Sequence, residues 1–314
     1  REARDLAEQL REPCWMLYYD SWIGECLNLY LEDFTQGIDH AMKTIIEIRK
    51  PQYELCAMLC RGYRIVIESY IYSDPVGYAD KVLELIDYAD TKIPIDYDTY
   101  GILKKRQSEL YFALGELDLA IESATAYLER SSQRMVTFHM AYAYEMLVHY
   151  AYLQGEFEPA LEMIRASEVM ARRNERRSLV AITQAWQALL LVLLDHKDEA
   201  HSYYQLATVN MSRLGMETGL TYYDALCIYN ERIGNIDLAL QLRDKQYQNA
   251  TGRGGYYLET EILLKKARLQ GRRWLDTSAT IAQAKQVAGH LLKPEHFLTK
   301  LERVEEGDFD EHLK

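Results

Sequence analysis

Proline is scarce in this chain of 314 residues, with six in all, and glycine is held to 16. With so few chain breakers, long stretches rich in Ala, Leu, Glu and Arg are free to run as helices. The five cysteines, Cys14, Cys26, Cys56, Cys60 and Cys227, form no C-x-x-C pair and no regular spacing, which excludes a disulfide scaffold and points to a reducing compartment. Cys56 and Cys60 stand one helical turn apart, but without neighbouring histidine their expected role is packing. Long apolar runs are missing too: the longest, Ala188 to Leu194, falls far short of the roughly 20 residues a membrane-crossing helix needs. No signal-peptide pattern opens the chain, so the expected location is cytoplasmic, with no membrane partner. Because the first residue is Arg1 rather than Met, the chain is expected to be a trimmed piece of a longer protein. Positive charge is also in short supply, 36 basic against 48 acidic residues for a net charge of -12. That balance argues against a general attraction to nucleic acid or anionic lipid.

The usual motifs of chemistry are absent as well. His196 and His201 in HKDEAH lack the H-E-x-x-H spacing and a third ligand, so they are expected to be exposed turn residues and no metal is expected. The glycines of TGRGGYY, from Thr251 to Tyr257, lack the G-K-[ST] of a phosphate loop and are expected to form a link between helical units. No G-x-S-x-G occurs, and no Ser, His and acid arrangement can be read from spacing. No catalytic site and no cofactor are therefore expected.

What is present is a repeat. ALGELDLAIESATAYL from Ala113, LQGEFEPALEMIRAS from Leu153 and RIGNIDLALQLRDKQ from Arg232 each place an Ala five residues after a Gly: Gly115 with Ala120, Gly155 with Ala160, Gly234 with Ala239. A fourth copy keeps Ala200 but has Asp195 in place of the Gly, and Ala79 and Ala41 continue the series backwards. Successive alanines lie 38, 41, 40, 40 and 39 residues apart, and the next step falls on Ala279 or Ala282. The glycine would close a first helix by adopting a left-handed conformation, and the small alanine would let a second helix pack closely against it. Pro75 and Pro159 fall in the expected first turn of a second helix, while Pro51, Pro94 and Pro294 fall between helices.

The pattern therefore predicts an all-α chain of about seven helix pairs, over residues 15–50, 53–92, 99–131, 134–174, 177–214, 217–250 and 256–292. A capping helix over 294–306 and an acidic tail over 305–314 would follow. Growth by repetition also suits a chain longer than a single core usually supports.

The L-G-x-x-x-x-A spacing, with Tyr111 four residues before Gly115, resembles the tetratricopeptide motif, and the period near 40 resembles its longer variant. The resemblance spans roughly residues 15 to 292, more loosely in the first two units. It implies a right-handed α-solenoid of antiparallel helix pairs. It also implies kinship with solenoids of bacterial sensor and regulator proteins, such as the maltose-type transcription activators and the peptide-sensing Rap-like regulators. The motif residues are packing residues, so the resemblance transfers no catalytic site.

In such a solenoid the first helices line the concave surface. The register places Arg64, Lys105, Glu109, Glu145, His149, Tyr152, Asp224 and Tyr229 there, a mixture suited to a peptide or protein segment held by polar anchors and aromatic walls. The 25 tyrosines, against 6 phenylalanines, suit both interhelix packing and a recognition surface. The segment ARRNERR concentrates Arg172, Arg173, Arg176 and Arg177 at a unit boundary, where they form either a solvated loop or a docking patch for an acidic partner. The acidic tail from Glu305 is a candidate competitor for that patch.

The leading expectation is a non-enzymatic protein- or peptide-binding module, the scaffold or sensor part of a larger bacterial regulatory protein. A ligand- or signal-peptide-sensing solenoid of a transcription regulator is the alternative. An enzyme or nucleic-acid-binding domain on the same scaffold ranks last, and a homo-oligomer is compatible with every reading.

Overall fold

The computed structural model describes residues 2–29, 34–50, 60–92, 98–214, 220–251 and 255–309. Among them the chain is all-α, with 16 helices and no strand. A short α1 (Glu2–Gln9), which the repeat pattern does not predict, precedes α2 (Pro13–Leu29) and α3 (Phe34–Ile48). Next come α4 (Cys60–Ser73), α5 (Ala79–Lys92), α6 (Asp98–Leu114), α7 (Leu117–Gln133), α8 (Thr137–Gln154) and α9 (Phe157–Arg173). The chain continues with α10 (Arg177–Leu193), α11 (Lys197–Leu214), α12 (Leu220–Arg232), α13 (Ile236–Ala250), α14 (Tyr256–Arg272), α15 (Ser278–Ala288) and α16 (Glu295–Glu305). Neighbours in sequence pack on one another through nearly the whole series, with α12 packing chiefly on α10 rather than α11.

The alanine register has a structural meaning. Ala120, Ala160, Ala200 and Ala239 are each the fourth residue of α7, α9, α11 and α13, and all four are fully buried. A side chain on the preceding helix reaches directly to this point in two units. The Ser108 hydroxyl donates to the carbonyl of Ala120 at 2.7 Å, and the Cys227 thiol donates to that of Ala239 at 3.5 Å. Any larger residue there would hold the helix pair apart.

The turns are closed by backbone. Gly115, Gly155 and Gly234 have φ of 83°, 80° and 83°, and the next residue in each case donates its N–H five residues back, as Glu156 does to Ala151 at 2.9 Å. This is the Schellman closure of a helix C-terminus. Asp195 and Trp274 occupy the same place with φ of 63° and 57°, and Met135 and Glu175 make the same closure between pairs with φ of 53° and 55°. Glycine therefore marks only part of a turn geometry that the backbone repeats more widely.

Three positions depart from the sequence register. Ala79 is buried but opens α5, and Pro75 lies in the turn ahead of that helix. Ala279 and Ala282 are both exposed. After the Trp274 turn, Asp276 accepts the Ser278 N–H at 3.0 Å and α15 begins only at Ser278, so the fourth position falls on buried Ile281. The side chain of Ala41, which sits within α3, lies outside the described residues, as do Pro51, Cys56 and Pro94.

The far end of the chain comes back to its early part. The carboxylate of Asp74, itself buried, accepts the N–H of Gly77 at one oxygen and that of Leu292 at the other, both at 2.8 Å. The Tyr257 hydroxyl, on α14, donates to the carbonyl of Ala113 at 3.4 Å, and α14 also packs on α4. These contacts join segments up to 218 residues apart.

Candidate functional site

Where α14 and α16 meet α6, α8, α10 and α12, they leave a cavity of about 620 Å³, a size typical of ligand sites. One wall is aromatic. Phe112 at the end of α6, His149 and Tyr152 on α8, and Trp186 on α10 succeed one another with ring centroids 5.0 Å apart for Phe112 and His149, 5.5 Å for His149 and Trp186, and 5.7 Å for Tyr152 and Trp186. Trp186 is almost wholly buried, and its Nε1 has no hydrogen-bond partner among the described residues.

The opposite wall is charged. On α14 the lining residues Glu261, Leu264, Lys265, Arg268, Leu269 and Arg272 recur at helical spacing, so one stripe of the helix faces the cavity. Arg272 and Arg273 close this wall, and Lys300 from α16 adds another cation. The carboxylates are engaged. Asp224 on α12 pairs with Arg243 of α13 and, at 3.1 Å, with Lys265, which also meets Glu261 at 3.1 Å. Glu231 receives both Nε and Nη2 of Arg272 at 2.9 and 3.0 Å, a fork that fixes α14 against α12.

Protonation states follow from these surroundings. Burial alone would push the Asp224 carboxyl up, but Lys265 and Arg243 outweigh it and hold the group well below the usual carboxylate range. Burial, together with the neighbouring Lys300, brings His296 down to about 4. The neutral ring then accepts a hydrogen bond from the Lys300 Nζ at 2.9 Å beside the cavity. Burial raises the Cys227 thiol to about 11, which leaves it an inert packing group.

The predicted groove residues divide into four sets. His149, Tyr152 and Asp224 line the cavity together. Arg64, Lys105 and Glu109 belong to a different place, an ion network between α4 and α6 in which Arg106 donates to Glu68 at 2.8 Å and to Glu109 at 2.6 Å while Lys105 meets Glu109 at 2.6 Å. Glu145 is half-buried on α8, away from the cavity lining. Tyr229, on α12, is buried against α11, stacked on Tyr204 with centroids 4.8 Å apart in the apolar seam of that pair.

The arginine segment is likewise divided. Arg172 is forked onto Glu168 at 2.6 and 3.0 Å, Arg176 lies over the Phe138 ring at 5.1 Å, and Arg173 and Arg177 are exposed where α9 hands over to α10. The described part of the acidic tail goes elsewhere. Phe309 packs over Gly271, and its carbonyl accepts Arg272 Nη1 at 2.9 Å. Residues 310–314 lie outside the described set, as do Gly252 and Gly254 of the glycine segment, whereas Gly255 caps the start of α14.

His196 and His201 are exposed, and among the described residues no group of three or more His, Cys, Asp or Glu could hold a metal. Nor, among the described residues, is any helix long and apolar enough to cross a membrane. The cationic wall was missed in the sequence reading although a signal for it was present: KKARLQGRR, from Lys265 to Arg273, is a second basic run with helical spacing. In comparison with known proteins, no family model and no curated sequence matches the chain.

Proposed function

We propose that this chain is a non-enzymatic binding module, a right-handed α-solenoid of the tetratricopeptide kind that receives a short peptide or protein segment. The observation that carries the reading is the cavity itself, framed by first helices of successive pairs and walled by aromatic rings on one side and cations on the other. Such walls bind and orient. The acidic and basic groups in them are held in mutual ion pairs, which suits recognition better than proton transfer.

Within this proposal the module serves as the scaffold or sensor part of a larger cytoplasmic regulatory protein of bacterial type. A sensing role, in which occupancy changes the relation of early and late helices, is favoured over a passive scaffold by one feature. The Asp74 to Leu292 contact ties early and late parts of the chain together.

The test is panning of random peptides displayed on phage against the purified chain. Enriched peptides are expected to bind it in solution and to lose affinity with His149→Ala and with Tyr152→Ala. No enrichment, or binding indifferent to both substitutions, overturns the proposal.

A further inference from the structure

We infer that the cavity takes an extended acidic peptide segment that carries an aromatic side chain. The inference rests on the binding-module reading and names the chemistry of its ligand. In a chain of net charge -12, this one wall gathers Lys265, Arg268, Arg272, Arg273 and Lys300, and its basic groups outnumber the carboxylates Asp224, Glu231 and Glu261. Those carboxylates are already engaged by cations, so the balance left at the surface is positive whichever pairs form. An anion is drawn to this wall and repelled by most of the remaining surface.

The spread of the charge selects the kind of anion. At about 1.5 Å of rise per residue, Lys265, Arg268 and Arg272 stand roughly 4.5 and 6 Å apart along α14. Side chains on one face of an extended chain recur about every 6.6 Å. A segment with acidic residues at alternate positions therefore meets successive cations, whereas a single phosphate would use only one end of the stripe. The facing Phe112, His149 and Trp186 rings offer a partner for an aromatic side chain.

The chain supplies a local precedent. Gly271 leaves α14 bare at a point where any Cβ would run into the Phe309 ring, and Arg272 beside it binds the Phe309 carbonyl at 2.9 Å. An aromatic residue of the acidic tail is thus already seated on α14, next to the lining residue Arg272.

The probe is a fluorescein-labelled peptide of sequence Glu-Asp-Phe-Asp-Glu, followed by fluorescence anisotropy. Saturable binding that weakens with added salt is expected, and a Gln-Asn-Phe-Asn-Gln peptide should not bind. Arg268→Gln and Arg273→Gln should each weaken binding about tenfold, as expected for loss of one charge-assisted contact. Arg268→Lys should restore most of it, and Arg173→Gln on the outer turn should leave it unchanged, with thermal melting confirming that each variant folds. Equal binding of the neutral peptide, competition by inorganic phosphate at the peptide's own concentration, or dependence on Arg173 rather than Arg268 would each overturn the inference. Should panned peptides bind through Tyr152 but prove neutral or basic, this inference falls while the binding-module reading stands; should no peptide bind, both fall.

Discussion

Replacing Asp74 should loosen the whole molecule from a single point. Its two carboxylate oxygens each accept one backbone N–H at 2.8 Å, from Gly77 in the local turn and from Leu292 far along the chain, and the residue is only 5% exposed. A hydrogen bond to a charged group contributes about 1.5–3 kcal/mol, and the desolvation of the carboxylate, which Ala does not incur, offsets part of the pair's total. Asp74→Ala is therefore expected to destabilise the protein by about 2–4 kcal/mol, and Asp74→Asn by roughly half that, because the amide keeps one accepting oxygen. The assay is the urea unfolding midpoint together with hydrogen exchange at the Leu292 amide. Exchange there should accelerate in both variants, and affinity for any cavity ligand should fall with it. A midpoint equivalent to less than about 0.5 kcal/mol of change, typical of an ordinary surface substitution, with Leu292 exchange unaltered, would refute the idea that this carboxylate holds the two ends together.

Two glycines should respond to alanine in opposite proportion to their backbone strain. Gly155 has φ of 80° but open space around its missing Cβ, so Gly155→Ala should cost about 1 kcal/mol, the left-handed penalty less the gain from a stiffer unfolded chain. A Cβ on Gly77 would collide with the Asp74 carboxylate and lie 2.7 Å from the Leu292 Cβ, so Gly77→Ala should cost more, about 1–3 kcal/mol, and should also speed Leu292 exchange; urea midpoints of the two variants decide the order. Stability should decline on acidification in two stages. His296 is depressed to about 4 in the folded chain, so the unfolded chain takes up its proton first and stability falls between about 6.5 and 4. Glu109 is held at about 2 because Arg106 and Lys105 outweigh its burial, so its contribution is present above the ordinary carboxylate range and lost from about 4.5 down to 2. Thermal melting against pH should show His296→Gln flattening the first stage and Glu109→Gln the second.

The helical pairs were legible because their signals are local. Gly and Ala five residues apart report a backbone turn and a close helix contact within one unit, and both are read without knowing anything distant. Glycine alone under-reports the turns, since Trp274, Met135 and Glu175 adopt the same geometry without it, and the register failed where a longer loop before α15 moved the packing position from Ala279 to Ile281. The site was only partly legible for a different reason. His149 and Tyr152 could be placed on a first-helix face by counting, but the stripe from Lys265 to Arg272 gains its meaning only when α14 is brought beside α6 and α12. Tyr229 shows the converse, because face counting alone cannot tell a ring turned to a groove from one that seals a neighbouring helix.

The closing contact and the cavity are one consequence of the same packing. Each buried alanine sets the distance between two helices, and α14, reached through the whole series, arrives at α4 and at Ala113 only if those distances are kept. Asp74 then satisfies the Leu292 amide at the meeting point, while Arg272 fixes α14 to α12 through Glu231. The aromatic wall on α8 and α10 and the cationic wall on α14 therefore face each other because of residues that touch no ligand. A peptide held as proposed would bear directly on the Arg272 fork, since both Glu231 and Arg272 line the cavity.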